Sequence, residues 1–496
     1  MIVKTRKDEF TDFLTDASNF KGDCSTVCFP ESVQELRDII IEANKTKTPI
    51  TIAGNGTGLT GGRVPMGGVV VALQVMNKIT EINTAGGYAV VEPGVLLSEF
   101  NKVTEPLGYF YPPDPTEQNS FVCANVATNA SGAKSFGYGA TRNFILGMEV
   151  ILPDGNTIYI DRGTCFADGR TLRFTAKEGK QYEIALPEMN MPHVKNAAGY
   201  FIAPDMDAID LFIGSEGTLG IITSTKVRLI PLPEKMLSCV AFFTAENDAL
   251  DFIDEARTIT LAKDNSLHSI HARSLEYFDD DSLRFLSSRF SQTPGAASAA
   301  VWFEQEMTAS TEDGIIEQWM NLILAHNGLE DNIWYASSGK ELENIHVFRH
   351  SISSMVNEYI TRKGLRKLGT DTAVPAAAFR EFYFGCKELV HSHIIDSVAY
   401  GHFGDSHVHL NMLPKNEEEF QLGKSLYAEI CKRAVALGGT ISAEHGVGKI
   451  KREMFKLMYP PETIAAMAGI KKILDPNYIL NRGNIFDEEL FLNERI

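Results

Sequence analysis

Five of the nine residues from Gly54 to Gly62 are glycine, and they follow directly on the run Pro49-Ile50-Thr51-Ile52-Ala53. That density breaks both helix and strand, because glycine in either interior costs conformational entropy. The segment reads as a loop leaving a short strand, with backbone amides free to close around an anion. A glycine-rich turn is most often only a turn. The G-x-G-x-x-G spacing here opens no clear helix, so a Rossmann-type dinucleotide fold is not supported.

Around this loop the sequence alternates short strands and helices, which points to layered α/β or α+β architecture. Pro30-Glu31-Ser32-Val33 opens a helix with Val33, Leu36, Ile39, Ile40 and Ala43 at helical spacing. Strands follow at Gly68–Leu73 and Ala89–Glu92, the second stopped by Pro93-Gly94. Pro231-Leu232-Pro233 marks a boundary. Beyond it, Ser238–Phe243, Ala249–Leu261 and Ala299–Glu304 read as strand, helix and strand. The polar stretch 161–193 reads as a surface insert, and 417–473 as a helical tail. A chain of 496 residues is too long for one core. The expected units are 1–233, 234–420 and 421–496.

The formal net charge of −18, without basic runs, argues against nucleic acid as a partner. It also means that an anionic substrate needs local positive groups. No apolar stretch is long enough to span a membrane, and the polar start does not read as a signal peptide. The seven cysteines are scattered without CxxC spacing, and Cys24 and Cys28 lack clustered partners. Reduced thiols in a cytoplasmic protein are expected, with peripheral contact at the inner membrane left open.

Four further segments change the reading of the glycine loop. They are Val91–Gly94, Tyr111-Pro112-Pro113-Asp114-Pro115, Asn125–Gly132 and Ile213–Thr223. Together and in this order they resemble the FAD-binding domain of the vanillyl-alcohol-oxidase or PCMH-type flavoproteins, over about residues 22–233. The resemblance implies that Asn55, Gly56, Thr57, Gly58 and Leu59 cradle the pyrophosphate. It implies that Pro112, Asp114, Asn129, Ser131 and Gly132 line the adenine and flavin side. Glu216, Gly217, Ile221 and Ile222 would pack along the cofactor. Small residues leave room for a large planar ligand, which agrees. Histidine is absent from Gly54–Gly62, so no covalent histidyl link is expected there.

The densest polar constellation is Tyr400-Gly401-His402-Phe403-Gly404-Asp405-Ser406-His407-Val408-His409-Leu410-Asn411, followed by Ser442-Ala443-Glu444-His445-Gly446-Val447-Gly448. Gly401–Ser406 reads as a turn and His407–Met412 as a strand, whose alternate residues share a face. Imidazoles with a carboxylate suit Zn, Mn, Fe or Co. A lone histidine is usually structural, but three within eight positions make that reading hard to sustain.

Both motifs resemble the C-terminal domain of FAD-linked oxidases, in the branch holding D-lactate dehydrogenase, D-2-hydroxyglutarate dehydrogenase and the glycolate oxidase subunit. The fold implied is α+β: a PCMH-type FAD-binding domain of two α/β subdomains, a cap domain with a ferredoxin-like antiparallel sheet, and a C-terminal helical segment. The resemblance implies His402, His409 and Glu444 as metal ligands, with Zn, Mn or Fe as the ion. It implies His445 as general base and Asn411 as a substrate contact. His407 takes no role beyond support. Val347–Ile352 resembles a family helix whose arginine, here Arg349, clamps the substrate carboxylate. Lys195, in Lys195–Tyr200, would line the active site beside the flavin.

The reaction implied is oxidation of a small D-2-hydroxy acid to the 2-oxo acid. The hydroxyl proton goes to His445 and a hydride from Cα to flavin N5. Gly369-Thr370-Asp371-Thr372-Ala373-Val374-Pro375 matches an element of D-lactate-type members. Hydroxyglutarate enzymes carry a Lys where Gly369 stands, with Lys367 and Arg366 slightly earlier here. D-lactate is therefore favoured, with D-2-hydroxyglutarate, an aldonolactone or sugar oxidase, and a non-catalytic flavin subunit as alternatives. The expected electron acceptor is external: a quinone, a cytochrome or an electron-transfer flavoprotein. No Fe–S cysteine cluster exists for an internal relay. A homodimer is left open. One departure stands out: the family ends N-P-G-K, whereas this chain reads Asn481-Arg482-Gly483-Asn484.

Overall fold

The computed structural model describes residues 1–264 and 266–492. Its first layer forms around the glycine loop. Ser32 Oγ accepts from the Glu35 amide at 3.2 Å and starts the helix Val33–Thr46. Leu36, Ile40 and Ala43 turn inward from that helix. It provides the crossover that lets Thr26–Phe29, Val69–Ala72 and Ile50–Ala53 pair in parallel. Ile2–Lys4 adds an antiparallel edge.

A second sheet of five antiparallel strands runs in the order Ile79–Asn83, Tyr88–Val91, Ile221–Arg228, Ile145–Ile151, Thr157–Asp161. The glycine loop leaves the first sheet and Gly217–Gly220 enters the second. The two sheets thus frame a cleft between them.

The stretch 161–193 is not merely a surface insert. It holds a hairpin, Thr171–Thr175 against Gln181–Ala185, whose Leu172, Phe174, Tyr182 and Ile184 are buried in the core beneath the second sheet. Its high polar content belongs to the alternate, exposed positions, so average polarity concealed a period of two.

The third sheet has eight antiparallel strands, ordered Trp334–Ala336, Lys235–Phe243, Ala299–Met307, Ser274–Asp279, Ser397–Gly401, His407–Met412 and Leu368–Gly369, with Thr372–Ala373 also on His407–Met412. Both faces are covered. Glu246–Ala262, Glu312–Ala325 and Ala376–Ser392 pack on one side, and Gly339–Arg362 with Asp280–Ser287 on the other. Leu237, Cys239, Ala241 and Phe243 face the first set, while Val240 and Phe242 face the second. Burial on both sides explains the unbroken apolar run in that strand.

The tail is not one helical stretch. Glu417–Ala436 packs its Phe420, Leu426, Ile430 and Ala434 on the third sheet. Pro461–Leu474 packs Met467, Ile470 and Leu474 into the same core as that hairpin. The irregular stretch 437–451 crosses between them, because Gly438, Gly439, Gly446 and Gly448 punctuate it. That crossing carries Glu444 and His445.

Candidate active site

Strand His407–Met412 places His407 and His409 on one face, and the turn before it folds His402 back beside them. The ring centroids of His402 lie 5.1 Å from His407 and 5.3 Å from His409. Glu444 arrives from the crossing stretch. Its Oε1 lies 3.3 Å from His402 Nε2 and 3.1 Å from His409 Nε2. Two ligands bound to one tetrahedral ion at about 2.1 Å stand roughly 3.4 Å apart. The three groups therefore have the spacing of a ligand set.

Hydrogen bonding makes the case sharper. Nδ1–H of His409 donates to the Thr370 carbonyl at 3.1 Å, since a carbonyl can only accept. Burial lowers the pKa of His409, which favours the neutral ring. A neutral ring then turns the lone pair of Nε2 toward a carboxylate. Two acceptors at 3.1 Å need a cation or a proton between them. His402 Nδ1 donates to Glu276 at 2.6 Å, which leaves its Nε2 facing the same point. Burial pushes His402 down, but Glu276 and Glu444 outweigh it and raise its pKa to about 9. Each histidine thus has its outer nitrogen anchored, as ligating histidines do. His407 is fully buried, with Nε2 2.9 Å from Asp371 Oδ1 but not aligned for a hydrogen bond.

His445 differs from the other three. Its side chain is 27% exposed and its ring stacks on His409 at 5.5 Å. Nδ1 lies 3.2 Å from Asp371 Oδ2, and its amide donates to the same oxygen at 3.1 Å. Asp371 is a hub: it also accepts from Lys451 at 2.7 Å and Ser442 Oγ at 2.8 Å. Burial alone would raise the Asp371 carboxyl, but neighbouring His445 and Lys451 hold it well below the usual carboxylate range.

His445 also lines the cleft between the first two sheets. Asn55, Gly56, Thr57, Gly58, Glu216, Gly217, Ile221 and Ile222 line it, all expected from the sequence. So do Asp16, Phe121, Asn125, Asn481 and Asn484, which sequence reading missed. Leu59, Pro112, Asp114, Asn129, Ser131 and Gly132 are not part of that lining. Ser131 instead donates to Glu444 Oε2 at 3.3 Å, on the histidine side. Asp114 pairs with Lys134 at 3.3 Å, and Asn129 accepts from the Arg142 amide at 3.0 Å.

The remaining expected residues surround the histidines. Lys195 Nζ lies 3.1 Å from Glu444 Oε2 and 3.6 Å from Asp405. Burial lowers its pKa, but those two carboxylates outweigh it and leave it raised. Asn411 is buried with its Oδ1 lacking a partner among the described residues, as suits a group awaiting a ligand. Arg349 is buried and bound to Glu276 at 2.6 Å, with Nε unsatisfied. Glu276 was missed by sequence reading. Its signal was a charge inside the wholly buried strand Ser274–Asp279, which carries a second one at Asp279.

Comparison with known proteins places these features. Residues 24–161 match the FAD binding domain model, and residues 248–485 match the model of FAD linked oxidases, C-terminal domain. The glycolate oxidase subunit GlcD of Bacillus subtilis is 29% identical over 470 residues, covering 93% of this chain and 89% of that one. A D-lactate dehydrogenase of Anaerostipes hadrus is 28% identical, covering 92% and 88%. A D-2-hydroxyglutarate dehydrogenase of Stutzerimonas stutzeri is also 28% identical, covering 93% and 91%. Among solved structures, p-cresol methylhydroxylase with substrate bound superposes with a TM-score of 0.71 at 17% identity, covering 97% and 93%. The 4-ethylphenol oxidase of Gulosibacter chungangensis gives 0.69 at 19%, covering 99% and 95%. These likenesses show the α+β fold of PCMH-type flavoproteins.

Proposed function

The chain belongs to the FAD-linked oxidases, and from that premise we propose that it oxidises a small D-2-hydroxy acid, D-lactate or a close analogue, to the 2-oxo acid. One observation carries this reading. The Nε2 atoms of His402 and His409 converge with Glu444 on a single point, beside a partly exposed histidine that also lines the cleft.

Bound FAD supplies the electron acceptor, and a divalent cation held by His402, His409 and Glu444 supplies the charge that acidifies a hydroxyl. The protein's own groups do the rest. Asp371 anchors Nδ1 of His445 and so leaves Nε2 to take the hydroxyl proton. Asn411 and the positive Lys195 and Arg349 hold the acid in a protein that otherwise repels anions. Burial of His402 and His407 keeps water from that side of the cluster.

The test is anaerobic bleaching of bound flavin by a panel of D- and L-2-hydroxy acids, with and without chelator. Bleaching by small D-acids that chelator abolishes is expected. Bleaching by L-acids alone overturns the stereochemistry, and chelator-resistant turnover overturns the metal site and favours a sugar or lactone oxidase.

One feature favours a dicarboxylic acid such as D-2-hydroxyglutarate as a second reading. Gly369 pairs opposite Asn411, and Lys367 Cε lies 3.2 Å from where a Gly369 side chain would begin. Lys367 makes no ion pair among the described residues. It stands ready for a second carboxylate, and the panel separates the two acids directly.

A further inference from the structure

Lys449 lies on the crossing stretch four residues after His445, and it is 6% exposed. Its amide donates to the Thr60 carbonyl at 2.9 Å. Its ammonium reaches under the glycine loop, 3.3 Å from the carbonyls of both Gly61 and Gly62. The shortest contact is to Asn484 Oδ1 at 2.6 Å. No carboxylate pairs with this ammonium among the described residues. Burial accordingly pushes its pKa down to about 8.

Asn484 completes the clasp from the other side. Its Nδ2 donates to the Gly62 carbonyl at 3.0 Å and to the Glu216 carbonyl at 3.2 Å. Gly62, Glu216 and Asn484 all line the flavin cleft. A buried cation whose acceptors are neutral is costly to keep. It is worth keeping beside a cleft that takes an anionic ligand. Position 484 is also where the sequence pattern has a lysine and this chain has asparagine. The ammonium reaches that same place from another segment.

We propose that Lys449 is a positioning residue for the flavin: clamped by Asn484, it pins the Gly54–Gly62 loop to the stretch that carries His445 and supplies the positive charge that a lysine at 484 would otherwise bring. The inference rests on the flavin assignment and not on the identity of the acid or the metal.

The test uses the full chain, stripped of flavin and titrated with FAD, with the midpoint potential of the reloaded holoenzyme as a second readout. Lys449→Met is expected to weaken FAD binding at least tenfold. It is also expected to make the potential more negative, because removing a cation disfavours the reduced flavin. Adding Asn484→Lys on that background returns the ammonium, and affinity and potential are expected to recover to within about threefold of wild type and toward its potential. Recovery of whichever readout moved supports the exchange. An unchanged affinity and potential in Lys449→Met overturns it, as does a double variant no better than the single. If the single variant does not fold, a folded double variant of near-wild-type affinity supports the exchange and an unfolded one overturns it. Wild type that takes no FAD would instead sink the flavin assignment.

Discussion

At the scale of single residues the site divides its work by exposure. His402 and His407 are sealed and the His409 side chain is 13% exposed, whereas His445 is 27% exposed and keeps a face toward the cleft. Replacing His445 with Ala is expected to leave flavin and metal content unchanged and to cut turnover by about 10²-fold or more. Near-normal turnover in that variant, read in the same assay that counts bound FAD, removes His445 as the base. Glu276 touches neither cleft nor substrate point, but it sets which nitrogen of His402 faces inward. Glu276→Gln is expected to lower metal affinity about 10- to 100-fold, as measured by metal titration of the chelated protein. An unchanged affinity means that His402 is not a ligand. The histidine motif and Glu444 were legible in the sequence because they cluster. Glu276 and the hub role of Asp371 were not, because their partners lie 126 and 74 residues away.

At the scale of elements, periodicity was informative where one face met the core. The helix opened by Ser32 runs over Val33–Thr46, and the strand expected at His407–Met412 has those bounds. It misled where polarity was averaged, as in the hairpin of Thr171–Thr175 and Gln181–Ala185. It was also silent on the crossing stretch, whose shape is set by what it touches. Gly448 has φ +52°, and a Cβ there would stand 2.2 Å from the Thr60 carbonyl. Gly446 has φ +74°, and a Cβ there would stand 2.8 Å from Glu216 Oε1. Val447 and Gly448 amides both donate to the Glu216 carboxylate at 2.7 Å. Gly448→Ala is expected to add roughly 1–3 kcal/mol of backbone strain besides that clash. FAD retention through gel filtration should fall while the third sheet stays folded by circular dichroism. Full retention of FAD means that the stretch can move away from the loop without cost.

At the scale of the whole molecule, stability depends on ion pairs that the third sheet buries. Lys387 lies 2.7 Å from Glu246 and 3.2 Å from Asp279. Burial raises the Glu246 carboxyl, but Lys387 and the hydroxyls of Tyr383 and Tyr277 outweigh it and leave it lowered. A lowered carboxyl contributes stability that is full above its ordinary value of 4.5 and lost as pH falls through the folded value. Asp279 is raised by burial and offsets part of this. Lys387→Met strands both carboxylates and is expected to cost about 3 kcal/mol at neutral pH. Urea melts at pH 7 and pH 4 check it: the variant's deficit should shrink at the lower pH. A deficit that grows on acidification contradicts the assignment.

The first sheet is finished by the far end of the chain. Ile50 donates to the Ile479 carbonyl at 2.7 Å, and the Ile52 amide donates to Asn481 Oδ1 across 429 residues. At about 5–20 residues per second of synthesis, that partner follows its strand out of the ribosome by roughly 20–90 seconds. The glycine loop therefore spends the growing chain's lifetime without Asn481 and Asn484. Cofactor capture is therefore expected late in the making of this protein, and nascent chains halted before residue 479 should emerge colourless.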